Sequence, residues 1–166
     1  MPHTISQLNS LSLEPFIQLV GPVFEQSPWI AQAAWPKRPF ASAAALHGAL
    51  CEIVRESDDE RKLALIRAHP DLVGRVVLTS ESANEQASAG LDRLDAGEIE
   101  LFRRSNAAYR GKFGFPFVIC ARLNRKQAIL ESFERRLKNS REEEINAALA
   151  EIFKIAELRL QDLTHG

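Results

Sequence analysis

Phe113-Gly114-Phe115-Pro116-Phe117-Val118-Ile119-Cys120 is the one strongly strand-like run in the chain, and its reading decides the fold class. Pro116 removes a backbone donor and Gly114 weakens a strand interior, so the run makes a poor central strand. A single strand would also have nothing to pair with. The run is therefore expected to be an ordered extended segment, near 113–120, in an all-α protein. Unpaired extended backbone still has N–H and C=O groups that need partners. A planar, amide-rich ligand would supply them, while the rings of Phe113 and Phe115 read as core.

On either side of this run, nearly every segment longer than ten residues shows helical periodicity. Prolines at 15, 22, 28, 36 and 39 break the first third into short helices, roughly 13–20, 22–26 and 28–34, closed by the turn Pro36-Lys37-Arg38-Pro39. A longer helix is expected from about Ala41 to Arg55. Ser57-Asp58-Asp59-Glu60 has capping-box spacing and should open another, to about Ala68. After a loop through Thr79, helices are expected at about 81–89, 96–111 and 124–138. Ser140-Arg141-Glu142-Glu143 is a second capping box and starts the last helix, which runs to about Leu163. There Ile145, Leu149, Ile152, Ala156 and Leu160 recur at spacings of three and four and mark the buried face. The expectation is a single domain, 1–166, of about eight helices.

Bulk composition excludes several function classes. Lys+Arg (21) nearly balances Asp+Glu (22), so there is no nucleic-acid footprint. The apolar runs are far too short to cross a bilayer. Met1-Pro2-His3-Thr4 does not read as a secretory signal, nor Thr164-His165-Gly166 as a peroxisomal address. Two cysteines, Cys51 and Cys120, suggest a reducing compartment, and a cytoplasmic setting is expected. Both have apolar neighbours and read as buried, inert thiols. Metal-ligand spacings, a phosphate-cradling glycine loop and a Gly-x-Ser-x-Gly elbow are all absent from the sequence, so no catalytic zinc site is expected.

Four features remain that could carry chemistry. In His69-Pro70-Asp71-Leu72 the proline pushes His69 out of the helical region, to a helix end. An imidazole there can act as acid or base near neutral pH, although on these four residues alone a surface histidine beside a turn is the better reading. Ser82-Ala83-Asn84-Glu85-Gln86 places Ser82, Glu85 and Gln86 on one helical face. Its spacing is also that of a capping box with Ser82 as N-cap, unless Thr79 or Ser80 caps the helix and leaves Ser82 and Glu85 for a ligand. The extended run is the third. Arg159 is the fourth, because at 100° per residue it falls on the apolar face of the last helix, where arginine needs a partner. A snorkelling side chain, a structural ion pair and a polar ligand all fit that position.

Together these segments resemble the 2-oxo-4-hydroxy-4-carboxy-5-ureidoimidazoline (OHCU) decarboxylases of uric acid degradation. The resemblance rests on His69-Pro70-Asp71-Leu72, then Ser82-x-x-Glu85-Gln86 with Ala89-Gly90-Leu91. It continues in Asn106-Ala107-Ala108-Tyr109 and in Phe113 to Ile119, with Phe-Glu-x-Ser-Pro-Trp at Phe24 to Trp29. The loop from Leu72 to Ser80 is short beside that of animal members. The resemblance implies an all-α, homodimeric, cofactor-free carboxy-lyase that forms (S)-allantoin and carbon dioxide. It makes His69 the catalytic acid–base residue and Glu85 its partner. Pro70, Ser82, Ala83, Asn84, Glu85, Gln86, Phe117, Val118, Ile119, Cys120, Ala121 and Arg159 would line the substrate. Without the resemblance, the same polar groups would also suit a non-catalytic ureide-binding domain or a ureide-ring hydrolase.

Overall fold

A computed structural model describes residues 2–74 and 78–164. Its helices are α1 (Ile5–Asn9), α2 (Leu13–Val20), α3 (Trp29–Ala34), α4 (Ala43–Glu56), α5 (Asp59–Ala68), α6 (Ser80–Ser88), α7 (Ala96–Phe113), α8 (Lys126–Arg136) and α9 (Arg141–Leu163). Single 3₁₀ turns lie at Gly21–Val23, Trp35–Lys37 and Ala121–Leu123. Among the described residues the only β pairing is an isolated bridge between His3 and Thr164, so the protein is all-α. The short helix α1 lay outside the sequence expectation; Thr4 and Gln7 form a capping box there. The expected helix at 22–26 is instead the brief 3₁₀ turn.

The chain divides into two compact units, residues 1–68 with 153–166, and residues 69–152. In the first unit α2 packs on α3, and α3 on α4. The apolar stripes of these helices meet in Phe16, Val20, Ile30, Leu46, Leu50 and Val54, all fully buried. Each such side chain contributes about 1.5–3 kcal/mol when removed from water. The proline-broken stretch is fixed by polar contacts: the Asn9 amide exchanges hydrogen bonds with the Phe40 backbone at 2.8 and 3.0 Å. The Trp35 indole donates to the Leu11 carbonyl, and the Arg38 guanidinium lies 3.9 Å over the Trp35 ring. At the start of α5 the cap differs from expectation. Asp58 accepts from the Arg61 N–H, while the Ser57 hydroxyl turns back to the Val54 carbonyl.

The second unit is built around aromatic rings. Tyr109 and Phe113 of α7 lie 4.6 Å apart between centroids, Tyr109 meets Phe117 edge-on at 5.3 Å, and Phe117 stacks on Phe133 of α8 at 3.8 Å. Pairs of this kind add about 0.5–1.5 kcal/mol each beyond area burial. Helix α7 runs one residue-pair further than expected, through Phe113, and stops because Gly114 adopts φ +80 as its left-handed C-cap. The segment expected at 113–120 therefore begins at Phe115; from there to Cys120, itself extended at φ -73 and ψ 95, the chain is in no helix or sheet and is buried. At α9 the Ser140–Glu143 box forms as expected, with reciprocal bonds of 2.9 and 3.1 Å. The Ser140 N–H donated to the Glu143 carboxylate holds its pKa below the ordinary value. Of the predicted apolar face of α9, Leu149, Ile152, Ala156 and Leu160 are buried and Ile145 is half-buried.

Candidate active site

His69 opens the second unit and is 6% exposed, so it is not the surface histidine that four residues alone suggest. The loop it starts is held from two helices. The Asn106 amide of α7 donates to the Leu72 carbonyl at 2.7 Å, and the Val73 N–H donates to Gln86 Oε1 of α6 at 3.1 Å. Arg110 grips both Asp71 carboxylate oxygens at 3.0 and 3.2 Å. This last pair is half-exposed and worth about 0–1 kcal/mol. Val73 sits at φ +57, a strained setting for a β-branched residue. Such strain persists only where neighbours over-determine the backbone, and here Gln86 and Asn106 do so on either side of the Leu72–Val73 peptide. The remainder of the predicted loop, 75–77, lies outside the described residues.

Thr79 caps α6, its hydroxyl accepting from the Ser82 N–H at 3.2 Å. The reading of Ser82 as N-cap is thereby corrected: Ser82 is three residues inside the cap, and its side chain is on the buried face. Ser82, Glu85 and Gln86 are all buried, whereas Ala83 and Asn84 lie on the exposed side. Gln86 spends Oε1 on the loop, a positioning bond that sequence reasoning did not foresee.

Helix α6 packs against the 3₁₀ turn at Ala121–Leu123, which brings its inward face to the end of the extended segment. Cys120 senses this: burial raises its thiol pKa above the ordinary value, and the nearby Glu151 and Glu85 carboxylates push the same way. Side chains hold several backbone groups of the segment. Arg136 donates to the Val118 carbonyl at 2.7 Å, Glu151 accepts from the Cys120 N–H at 3.0 Å, and Asn124 donates to the Cys120 carbonyl at 2.9 Å. Among the described residues no hydrogen bond engages the Ile119 N–H or C=O. The second unit thus assembles the His69 loop, the Ser82–Glu85–Gln86 face and the 117–121 backbone.

Beneath the segment is a buried network that sequence reasoning missed. Glu144 is 0% exposed and accepts from Tyr109 Oη at 2.5 Å, Arg136 Nε at 2.8 Å and Asn139 Nδ2 at 2.8 Å. The Arg136 guanidinium lies 4.4 Å over the Phe117 ring. Burial and the Glu144 hydrogen bond drive the Tyr109 pKa far above its ordinary value. A signal for Glu144 did exist. It lies four residues before Ala148 on the same stripe of α9 that drew attention to Arg159.

Arg159 belongs to the first unit and is buried there. Nη2 meets Glu25 Oε2 at 2.9 Å and Nη1 donates to the Pro22 carbonyl at 3.0 Å. The arginine on the apolar face therefore has an ion-pair partner, supplied by the Phe24–Trp29 motif.

The family model for OHCU decarboxylase matches residues 9–161. The chain belongs to the OHCU decarboxylase family. Among curated members, the 2-oxo-4-hydroxy-4-carboxy-5-ureidoimidazoline decarboxylase of Halalkalicoccus jeotgali is 43% identical over 161 residues, covering 97% of this chain and 92% of that protein. The protein of the same name from Amia calva is 44% identical over 161 residues, covering 95% and 92%. Among solved structures, an (S)-allantoin synthase superposes with a TM-score of 0.80 at 28% identity, over 97% of this chain and 54% of that one. Membership of the OHCU decarboxylase family accounts for the order in which the motifs follow one another along the chain.

Proposed function

We propose that the protein decarboxylates 2-oxo-4-hydroxy-4-carboxy-5-ureidoimidazoline to (S)-allantoin, as a carboxy-lyase of uric acid degradation. The family match over residues 9–161 carries this reading. The substrate holds a carboxylate and a hydroxyl on one ring carbon, beside a C=N carbon. When the carboxylate bond breaks, carbon dioxide leaves and the electron pair forms a double bond to that neighbour. The C=N pair then passes to nitrogen, which takes a proton. The resulting enol loses its hydroxyl proton and gains one at the former C=N carbon, giving allantoin. The ring is its own electron sink, so the residues have to orient the carboxylate and manage protons on one face.

In this reading His69 is the acid–base residue and Glu85 orients its ring or favours the imidazolium. The Ile119 amide edge and neighbouring backbone bind ring and ureido groups, with Pro70 and the Ser82–Gln86 stretch around them. For Arg159 the support is the family resemblance. Because charge leaves the carboxylate in the transition state, a tight ion pair to it would favour the ground state. Arg159 is accordingly assigned to oxygens that gain charge, or to holding the carboxylate out of the ring plane. A cytoplasmic homodimer is the expected setting; no described helix is long and apolar enough to cross a membrane.

The deciding experiment follows carbon dioxide release and allantoin handedness from freshly generated substrate. The protein should release one carbon dioxide per substrate and give the (S) product. A ligand-binding domain would release none, and a hydrolase would consume water without early release. In the same assay His69→Asn should lower turnover by about 10²–10⁴-fold; near-normal turnover would remove His69 from the chemistry. Arg159→Lys should lower the turnover number as well as affinity, and a change in KM alone would exclude its assigned role.

A further inference from the structure

We propose that Arg136 and Glu144 are positioning residues for substrate binding: they fix the edge of the extended segment so that the Ile119 amide faces the ligand. The inference rests on the decarboxylase reading above. In extended backbone, successive residues direct their N–H and C=O groups to opposite edges. The Val118 carbonyl is taken by Arg136 and the Cys120 N–H by Glu151. These are alternate positions on one edge, and side chains hold both groups. The other edge is that of Ile119, whose N–H and C=O engage no described residue. A cyclic ureide has the complementary pair, an N–H beside a C=O.

The arrangement is more elaborate than burial of the segment requires. Arg136 binds the Val118 carbonyl and the carboxylate with different nitrogens, Nη1 and Nε, and the planar fork fixes their relative direction. Glu144 is in turn held by Tyr109 and Asn139, on α7 and just before α9. Phe117 is clamped between the guanidinium, at 4.4 Å, and the Phe133 ring, at 3.8 Å. Arg136 Nη2 is buried and makes no hydrogen bond among the described residues. Apolar side chains at 136 and 144, with phenylalanine in place of Tyr109, would fill this space without that unsatisfied donor or a stranded phenol, and they would leave the Val118 carbonyl unrestrained.

This gives a discriminating variant. The double substitution Arg136→Met with Glu144→Leu, made together with Tyr109→Phe so that no buried phenol loses its acceptor, replaces the ion pair by apolar volume and should fold, but it cannot hold the Val118 carbonyl. Steady-state kinetics and thermal unfolding would be measured beside wild type. With wild-type decarboxylation in hand, positioning predicts a KM raised by about tenfold or more, a turnover number changed much less, and an unchanged pH profile, because the acid–base pair is untouched. A merely structural pair predicts the reverse: KM unchanged and apparent turnover falling with the folded fraction. That result, or full wild-type kinetics in the folded variant, overturns the proposal. Arg136→Lys keeps the charge, but its single ammonium lacks the two-directional fork, and it should show the same KM effect. A measurement on the wild-type protein makes the test independent of variant folding. Titration with allantoin should shift the Ile119 amide and Arg136 Nε–H resonances together, and an unmoved Arg136 signal rejects the coupling. If wild type releases no carbon dioxide, the decarboxylase reading fails instead, a separately visible result.

Discussion

A thiol surrounded by apolar atoms resists ionisation because the thiolate loses its hydration. Cys51 is buried in the first unit and its pKa is pushed up to about 11, with burial as the main cause. His47 Nε2 lies 3.4 Å from its sulfur but also 2.8 Å from the Phe153 carbonyl, which fits a ring N–H donated to that carbonyl rather than a base for the thiol. Cys120 is raised for the same first reason. Neither is suited to nucleophilic work although Cys120 belongs to the candidate site. Iodoacetamide at about pH 8 should leave both unmodified in the folded protein and alkylate both in denaturant, since the thiolate is the reactive form. Rapid labelling of native Cys120, read by mass spectrometry, would contradict this picture.

At the scale of the element, α6 links cap chemistry to the site. With Thr79 as N-cap, Thr79→Ala should destabilise the protein by about 1 kcal/mol. Ser82→Ala should leave the helix start protected in hydrogen exchange and register in substrate affinity. If the two substitutions exchanged these effects, Ser82 would be the cap after all. The helices themselves were legible because the apolar positions of α2, α4 and α9 recur at helical spacing and because Ser140 and Glu143 declare a start. Two things were less so. Ser57-Asp58-Asp59-Glu60 and Ser82-x-x-Glu85 each offer several capping oxygens within a few residues, and only the backbone path chooses among Ser57 and Asp58, or Thr79 and Ser82. The Tyr109–Glu144–Arg136 network joins three helices across 35 residues of sequence separation at its widest bond. No local pattern encodes that meeting. His69, Glu85 and the 117–121 run were visible as candidates through their place among the motifs, while the loop-holding bonds of Gln86 and Asn106 depend on a turn whose strained φ at Val73 has no sequence marker.

For the whole molecule, the direction of each pKa shift sets the pH range of stability. Glu98 and Glu143 have lowered pKa values, so their contribution is present above the ordinary 4.5 and is lost as pH falls through the folded values. Cys51, Cys120 and Tyr109 have raised values. Below the ordinary pKa of the unfolded groups, 9.0 for the thiols and 10.0 for the phenol, their effect is fully present. As pH climbs beyond those points the unfolded chain ionises first and stability falls. Thermal unfolding should therefore shift downward steadily above pH 9.0, where the unfolded thiols begin to ionise; a transition that stayed level through pH 11 would deny the burial of these groups.

Tyr109 is the chain's single tyrosine, and this gives the buried network its own chromophore. Tyrosinate absorbs at longer wavelength than the phenol, so an alkaline titration reads one group without labelling. While the native state holds, the signal should stay silent past pH 10.0 and then rise together with unfolding. A ligand or substitution that loosens the grip of Glu144 on the phenol would bring the colour in earlier. The protein thus reports optically, from its interior, on the packing behind its own candidate site.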